Sequence, residues 1–482
     1  MIFSTLEFAI FMTVVFLIYW GIPQRFRYIV LLAANLYFYA FYDVKYLLVL
    51  FATTVISYYI AIAIEKEGRE KAGDGGKKKF IFIAGLVTTL AFLFVFKYLN
   101  FTIYSVEKVL SFFRMPVQDS TLKLIMPVGI SFYTFEMVSY LTDVYRGTIA
   151  AERNFFKYSL FVSFFPNISS GPIERAGHFL PQLDEEKVFD YDRTVYGTRL
   201  LLLGLVKKVV FADMLAKYVN AVFDHVPEMT GICFLWATFL YTFQIYCDFS
   251  GYSDMALGLA GMLGFELPVN FKAPYFASSI RDFWGRWHIS LSTWLKDYVY
   301  IPLGGNRCSK ARRDLNLLIT FLVSGIWHGA SWTFILWGMI HGLCQVAENR
   351  IREFKGRKQP GGVPNKAVST VVTFLVVSFA WLFFRANSIT EAFHAVRYMF
   401  SDLSIPNAML RMTMSWRSVL KTFLAITAVM VYDRLSFNRD LIADLSKVKM
   451  PVRWAVYFVL GILVLAMGAN NGSTQEFIYF RF

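Results

Sequence analysis

The sequence is poor in charged residues and in cysteine. Of its 482 residues only 17% are charged and 56% are hydrophobic, whereas about a quarter of the residues in a soluble domain are usually charged. This composition indicates a protein that crosses a membrane many times. The few cysteines show no paired metal-binding spacing and lie in or beside apolar runs, so we assign them neither a disulfide nor a metal. They are Cys233, Cys247, Cys308 and Cys344.

Several catalytic motifs are also missing. The sequence contains no Gly-x-Ser-x-Gly elbow, no His-Glu-x-x-His zinc pair and no Walker loop, which argues against a hydrolase, a metalloprotease and a nucleotide-driven pump. The formal charge of +14 does not indicate nucleic acid, because basic patches without a soluble domain are better explained by membrane topology. We therefore predict one membrane domain over residues 1–482, with the functional residues concentrated between about 120 and 345.

What the sequence has in abundance is long apolar runs. A hydrocarbon core of about 30 Å needs roughly 20 apolar residues per helix. We therefore predict an all-α, polytopic membrane protein with roughly eleven to thirteen crossings, some of them short enough to be re-entrant. The runs lie at 3–20, 28–42, 46–64, 80–97, 122–142, 194–212, 231–247, 315–327, 331–346, 367–385, 417–432 and 453–468.

Basic residues suggest the orientation. The first apolar run follows Met1 without a basic lead or a small-residue cleavage site, so it is expected to be a retained helix in a multi-pass protein of the cell membrane. If the basic segment from Lys66 to Lys79 is cytoplasmic after three crossings, the N-terminus is extracytoplasmic. The turn at Arg25 and Arg27 then lies inside, as the positive-inside rule favours.

Turn-forming residues interrupt the apolar runs at 127–129, 166–172, 251–254 and 304–305. In lipid such breaks leave backbone N–H and C=O groups unpaired, and they are tolerated only where protein buries them or a water-filled cavity solvates them. Several breaks in one region therefore predict a cavity there.

Two Trp-His pairs occur in this region. Trp327-His328 lies in a span with no charged residue from Leu315 to Gln345, where an ionisable side chain is costly unless it has a function. Trp287-His288 lies in the polar stretch 281–307, whose mixture of Trp, Tyr, Arg and Lys is equally typical of an interfacial segment.

The remaining four histidines give weaker indications of a catalytic role. His341 can be explained by a hydrogen bond to a neighbouring helix. His178, His225 and His394 have more polar surroundings and are expected at surfaces or interfaces.

A buried neutral histidine can take a proton from a hydroxyl group as the oxygen attacks an acyl carbon. The residues therefore leave acyl transfer in a membrane cavity open beside a transporter or channel with a histidine proton relay. A scaffold without catalytic activity is a third alternative. A transporter would be expected to show paired inverted segments and intramembrane carboxylates, and neither is evident.

Three segments together resemble the membrane-bound O-acyltransferase family, in its bacterial polysaccharide branch of alginate O-acetylase-like and D-alanyl transfer proteins. They are QIYCDFSGYSDMALGLAGMLGF at 244–265, RDFWGRWHISLSTWLKDYVYIPLGGNR at 281–307 and GIWHGASWTFILWGMIHG at 325–342, supported by NISSGPIER at 167–175 and FIYFRF at 477–482. The similarity extends along nearly the whole chain.

The resemblance implies a ring of helices around a central funnel, with the acyl donor entering from the cytoplasm and the acceptor from outside. His328 matches the family's catalytic histidine, and His288 matches a second motif residue that orients groups or contacts the donor. Weaker candidates for lining the cavity are Asp297, Tyr298, Ser250, Asp254, Arg281 and Trp327.

The resemblance also implies transfer of an acetyl group from a thioester, acetyl-coenzyme A, to a hydroxyl of an exported or cell-surface polysaccharide. No permanently bound cofactor is expected, and an extracytoplasmic SGNH-type acetyltransferase is the implied partner. The alternative donor is D-alanine for teichoic acid, towards which the segment 166–175 leans, whereas the C-terminal half leans towards the acetyl-transferring branch.

Overall fold

Helices are the regular secondary structure of the part of the chain that the structure describes. A computed structural model describes residues 1–69, 75–115, 121–122, 124, 126–356, 365–404, 415–470 and 477–478, and no strand occurs in these ranges. The all-α prediction is confirmed. The helices are α1 (Leu6–Gly21), α2 (Gln24–Ala40), α3 (Val44–Arg69), α4 (Gly75–Leu93), α5 (Leu99–Phe112), α6 (Ile130–Arg146), α7 (Phe155–Ser163), α8 (Ala176–Gln182), α9 (Tyr191–Leu205), α10 (Asp213–Phe223), α11 (Gly231–Met262), α12 (Ile280–Trp284), α13 (Ile289–Leu295), α14 (Lys310–His328), α15 (Trp332–Gly356), α16 (Lys366–Arg385), α17 (Ile389–Ser401), α18 (Trp416–Ser436), α19 (Leu441–Asp444) and α20 (Met450–Asn470).

Five helical segments in the described ranges are long and apolar enough to cross a membrane: Val44–Arg69, Gly75–Phe112, Gly231–Met262, Lys366–Arg385 and Met450–Gly468. None of the residues of the last segment is fully buried. A long, predominantly apolar helix with so little burial is stable in hydrocarbon but not in water. The protein is therefore a multi-pass membrane protein, while the total of eleven to thirteen crossings and the ring around a funnel stay predictions.

The structure contains two compact units. The first consists of Met1–Gly197 and Ala256–Pro268, and the second of Thr198–Met255 and Val269–Phe482. The prediction of a single domain over residues 1–482 is not decided by this division and stays a prediction.

Aromatic side chains form the core of the first unit. Phe165 packs against Phe11 and Phe38, with ring centroids 5.4 and 5.7 Å apart. Asn35 on α2 is fully buried beside them. Its Oδ1 accepts a hydrogen bond from the Phe165 backbone N–H at 2.9 Å, and its Nδ2 donates to Ser163 Oγ at 3.3 Å. The buried amide is thus paired, as burial of a polar group requires.

Three fully buried tryptophans form the centre of the second unit. Trp381 on α16 lies 4.9 Å from Trp287 and 5.7 Å from Trp337, measured between ring centroids. Trp287 follows α12 and Trp337 lies on α15. Because large aromatic rings interdigitate at native density with little freedom to move, this centre can hold polar side chains in fixed positions.

One predicted break is wrong. Residues 251–254 do not interrupt a helix, because α11 runs without a break from Gly231 to Met262. Gly251 instead allows a close approach, since a Cβ at this position would lie 2.8 Å from the carbonyl oxygen of Gly204 on α9. The breaks at 127–129, 166–172 and 304–305 are confirmed, since these residues lie outside helices.

Candidate functional site

His328 is the last residue of α14, and a close crossing with α15 determines its surroundings. A Cβ on Gly338 would lie 2.4 Å from the carbonyl oxygen of Phe321, and one on Gly325 would lie 2.4 Å from that of Phe334. Glycines at both positions let the two backbones touch. As a result, the ring of Trp337 on α15 stands edge-on to the ring of His328, with centroids 4.9 Å apart.

Packing fixes the orientation of the His328 ring. Only 2% of the residue is exposed, and its imidazole also contacts the rings of Trp327 at 5.0 Å and Phe384 at 5.2 Å. Contacts on several sides leave the imidazole a single rotamer, which is a requirement for a general base that must meet a substrate hydroxyl at hydrogen-bond distance.

His288 lies between the short helices α12 and α13. Its backbone is left-handed, with φ 43° and ψ 55°, a conformation that costs a non-glycine residue about 1–2 kcal/mol. The residue is fully buried, and its ring meets that of Phe249 on α11 edge-on at 4.6 Å. Burial lowers the pKa of His288 to about 3, so this imidazole is neutral at pH 7.

The two histidines singled out in the sequence meet in the structure. The ring centroids of His288 and His328 are 6.4 Å apart, and the ring of Trp327 lies 5.9 Å from that of His288. A neutral imidazole can accept a proton from a substrate, and a second imidazole close to it can orient that substrate. Their catalytic roles stay a prediction.

The other candidate residues on α11, Ser250 and Asp254, have different surroundings. Ser250 is fully buried next to Phe249, and its Oγ has no hydrogen-bond partner among the described residues. Asp254, one turn further along α11, binds Lys207 Nζ at 2.7 Å. A tight ion pair at this depth favours a structural role for Asp254 rather than a cavity-lining one.

That ion pair belongs to a buried charge cluster that the sequence did not indicate. A π-helical segment, Val206–Ala212, points the adjacent Lys207 and Lys208 into the unit. Lys208 Nζ binds Asp248 at 2.6 Å and Asp213 at 2.9 Å. Adjacent lysines next to an apolar run look like a helix end at the membrane surface, so pattern alone could not reveal that both are buried.

A cavity of about 480 Å³ is lined in part by residues of α13 and α14, the helix that His288 precedes and the helix that His328 ends. Ser324 lines it and lies one helical turn before His328 on α14. The Oγ of Ser324, the Nε1 of Trp284 and the Oε1 of Gln345 are buried at this cavity and have no hydrogen-bond partner among the described residues. Buried polar atoms normally have partners, so these three are placed to bond a polar ligand or water.

Basic side chains also line the cavity: Arg281, Lys296, Arg313 and Arg352. Arg313 is paired with Glu353, which lines the cavity too. Arg281 and Lys296 form no ion pair with the residues that the structure describes. Of these cations only Arg281 was a candidate from the sequence. Asp297 and Tyr298 lie in the π-helical segment Lys296–Tyr300 but do not line this cavity.

His341 is a further buried histidine near this site. Its ring is fully buried and lies 4.9 Å from that of Trp337 and 5.2 Å from that of Trp284. The hydrogen bond to a neighbouring helix that we expected for it does not form with any described residue. Among the described residues no group of three or more His, Cys, Asp or Glu side chains is placed to hold a metal ion.

Comparison with known proteins adds an independent observation. A family model described as MBOAT, membrane-bound O-acyltransferase family, matches residues 149–360, a range that contains His288, His328 and most of the cavity lining. The chain is 40% identical over 403 residues to the "Probable alginate O-acetylase AlgI" of Pseudomonas aeruginosa, covering 83% of this chain and 75% of that protein.

Two further relatives carry different names. The chain is 35% identical to the peptidoglycan O-acetyltransferase of Helicobacter pylori, over 77% of this chain and 73% of that protein. It is 26% identical to the teichoic acid D-alanyltransferase of Bacillus subtilis, over 66% of this chain and 79% of that protein.

Proposed function

The chain belongs to the membrane-bound O-acyltransferase family and is an acyltransferase, and we propose that it transfers acetyl groups to hydroxyl groups of an exported or cell-surface polysaccharide. The observation that carries the proposal is the meeting of His288 and His328 in an aromatic site, with their ring centroids 6.4 Å apart, while the helices next to them, α13 and α14, contribute residues to a basic cavity. A dry site of this kind suits transfer to a hydroxyl without loss of the acyl group to water.

The cavity supports a coenzyme A thioester as the acyl donor. Arg281 and Lys296 can pair with phosphate groups, which guanidinium and ammonium groups bind by charge-assisted hydrogen bonds. The unpartnered atoms of Ser324, Trp284 and Gln345 can bond the amide groups of a pantetheine arm. Because Ser324 lies one turn before His328, an arm bound there would present its thioester near the histidine.

The chemistry then follows from the side chains. His328 takes the proton of the acceptor hydroxyl while its oxygen attacks the thioester carbonyl carbon, and the carbon–sulfur bond breaks as the carbon–oxygen bond forms. The proton held by His328 passes to the departing thiolate, so the transfer is balanced without a further reactant. We propose that the indole Nε1–H of Trp337, which has no hydrogen-bond acceptor among the described residues, stabilises the developing oxyanion.

Relatives named for alginate and peptidoglycan O-acetylation support a polysaccharide acceptor. A polysaccharide on the outer side of the cell membrane requires the acetyl group to leave on that side, so we propose an extracytoplasmic N-terminus and a cytoplasmic donor. An extracytoplasmic SGNH-type acetyltransferase is the proposed partner, which would receive the acetyl group on a serine and pass it on.

D-alanyl transfer is the second candidate. Two teichoic acid D-alanyltransferases are 26–29% identical to the chain, and a carrier-bound phosphopantetheine would also place a phosphate and two amides in the cavity. The lower identity favours the acetyl donor.

The deciding experiment incubates the purified protein with labelled acetyl-coenzyme A or D-alanyl carrier protein, with polysaccharide fragments as acceptor. Consumption of acetyl-coenzyme A by the wild type and loss of transfer by at least about a hundred-fold in His328→Ala are expected, since a positioned general base contributes about 10²–10⁴-fold. Normal transfer by folded His328→Ala would contradict the assignment.

The matched control is His394→Ala. His394 lies on α17 and stacks on Tyr398 at 4.3 Å, outside the cluster around His328, so the variant should keep wild-type activity. If the wild type consumes neither donor, a transporter or a scaffold becomes the better interpretation.

A further inference from the structure

Asn270 is a fully buried amide in the chain segment between α11 and α12. Its side-chain Oδ1 accepts two hydrogen bonds from Ser290, from the backbone N–H at 3.2 Å and from Oγ at 2.7 Å. Its own backbone carbonyl accepts a third, from the N–H of Ile289 at 3.1 Å. Asn270 therefore holds the two residues that directly follow His288.

The same segment is fixed on its other side. The Nδ2 of Asn270 donates to Ser253 Oγ on α11 at 3.3 Å. Two residues further on, the backbone N–H of Lys272 donates to the carbonyl oxygen of Arg286 at 3.0 Å. The residues before and after His288 are thus both tied to residues 270–272, and these are tied to α11.

These hydrogen bonds provide acceptors for the N–H groups at the start of helix α13. The first N–H groups of a helix have no partner within it, and the residue before the helix usually bonds one of them with a short polar side chain. His288 occupies that position in α13 and makes no such bond. Asn270 accepts from the Ile289 and Ser290 N–H groups instead, so the imidazole is not needed as a cap and can face Phe249 and His328.

We infer that Asn270 is a positioning residue for His288, because it caps α13 from outside the helix and holds His288 in its left-handed conformation. The effect on catalysis rests on the proposed function, whereas the effect on the orientation of His288 does not. A rare backbone conformation persists only where its surroundings determine it, and the bonds to Asn270 are those surroundings.

A double-mutant cycle tests the inference. Asn270→Ala should lower kcat about ten-fold with little change in the KM for the donor, since small displacements of a reacting group cost one to two orders of magnitude. Combined with His288→Ala, the Asn270→Ala change should cost nothing more, because groups that act through each other are not additive. An equal ten-fold loss in both backgrounds would overturn the inference.

Asn270→Asp is the conservative variant. A carboxyl group keeps the acceptor for both Ser290 bonds, and Ser253 can turn its hydroxyl to donate, so at least about half of the lost kcat should return. Asn35→Ala is the matched control, because Asn35 is equally buried and bonds a backbone N–H and a serine in the first unit. Its kcat should equal that of the wild type.

A second measurement does not need acyl transfer. The rate at which diethyl pyrocarbonate modifies His288, read by peptide mass spectrometry against the exposed His225, should rise at least about five-fold in Asn270→Ala and stay unchanged in Asn35→Ala. If Asn270→Ala does not fold, Ser290→Ala replaces it in the kinetic and the modification experiments, where its effects should be smaller but in the same direction. An unchanged rate of His288 modification would overturn the inference. Absence of acyl transfer in the wild type would instead contradict the proposed function alone.

Discussion

The imidazole of His328 lies among neighbours that carry no charge, and these surroundings determine its chemistry. Trp327, Trp337 and Phe384 surround it with rings at 4.9–5.2 Å, and a neutral imidazole is the form that accepts a proton. Its place in an uncharged apolar span was enough to single out His328 in the sequence. The aromatic partners were not identified in this way, because tryptophan and phenylalanine are common throughout an apolar chain.

Lys296 provides a test of the cavity at the scale of one residue. Lys296→Ala should raise the KM for acetyl-coenzyme A about ten-fold and leave kcat nearly unchanged, since a hydrogen bond to a charged group contributes about 1.5 kcal/mol. The difference in KM between Lys296→Ala and the wild type should shrink at high salt. Steady-state kinetics measures this effect, and Lys421→Ala, which replaces an exposed lysine on α18, is the control. An unchanged KM in Lys296→Ala would exclude the cavity as the donor site.

Glu353 at the same cavity predicts a pH effect. Hydrogen bonds from Lys310 and Arg313 lower the pKa of Glu353 to about 2. A carboxyl group with a lowered pKa stabilises the fold above its unfolded pKa of about 4.3, and that stabilisation is lost as the pH falls towards 2. The Tm of the wild type should exceed that of Glu353→Gln at pH 6, and the difference should shrink below about pH 4 and disappear below about pH 2. A difference that grows on acidification would contradict the pairing.

At the scale of elements, the close crossing of α14 and α15 places His328 against Trp337. Both helices were expected from apolar runs at 315–327 and 331–346, and they occur as Lys310–His328 and Trp332–Gly356. The crossing itself depends on glycines that a periodic pattern does not distinguish from others. Gly251 shows the same limitation, because a glycine that predicted a break proved to permit contact between continuous helices.

Gly338→Ala tests the crossing. The new Cβ would lie 2.4 Å from the carbonyl oxygen of Phe321, so the helices must separate, at a cost of about 1–3 kcal/mol. Thermal unfolding in detergent should show a clear loss of Tm, with a loss of kcat as Trp337 moves from His328. Gly461→Ala on α20 is the control, because a Cβ there meets nothing within 4 Å. Equal Tm values for the two variants would contradict the close approach.

At the scale of the whole molecule, the proposed orientation in the membrane leads to a labelling experiment. If each of the helices α1 to α3 crosses the membrane, as the apolar runs predict, an extracytoplasmic N-terminus places Lys77, at the start of α4, in the cytoplasm. In a variant without native cysteines, a membrane-impermeant maleimide should label Glu7→Cys in intact cells and Lys77→Cys only after lysis. The reverse labelling would invert the predicted orientation and place the donor on the wrong side.

The sequence by itself determined the class of protein, the helical segments and the two histidines. A helix that crosses hydrocarbon must be long and apolar, and an ionisable side chain within it is energetically costly. Both features can therefore be recognised from the composition and spacing of neighbouring residues in the chain. The family motifs identified the acyl chemistry for the same reason, since their residues are close together in the chain.

Only the tertiary structure decided which residues meet. It brought His288 within 6.4 Å of His328, assembled a basic cavity from Arg281, Lys296 and Arg352, and placed Asn270 against Ser290. It also paired Asp254 with Lys207. These contacts join residues up to about seventy positions apart, and such contacts arise from packing and close backbone approach, for which no local pattern in the sequence is required.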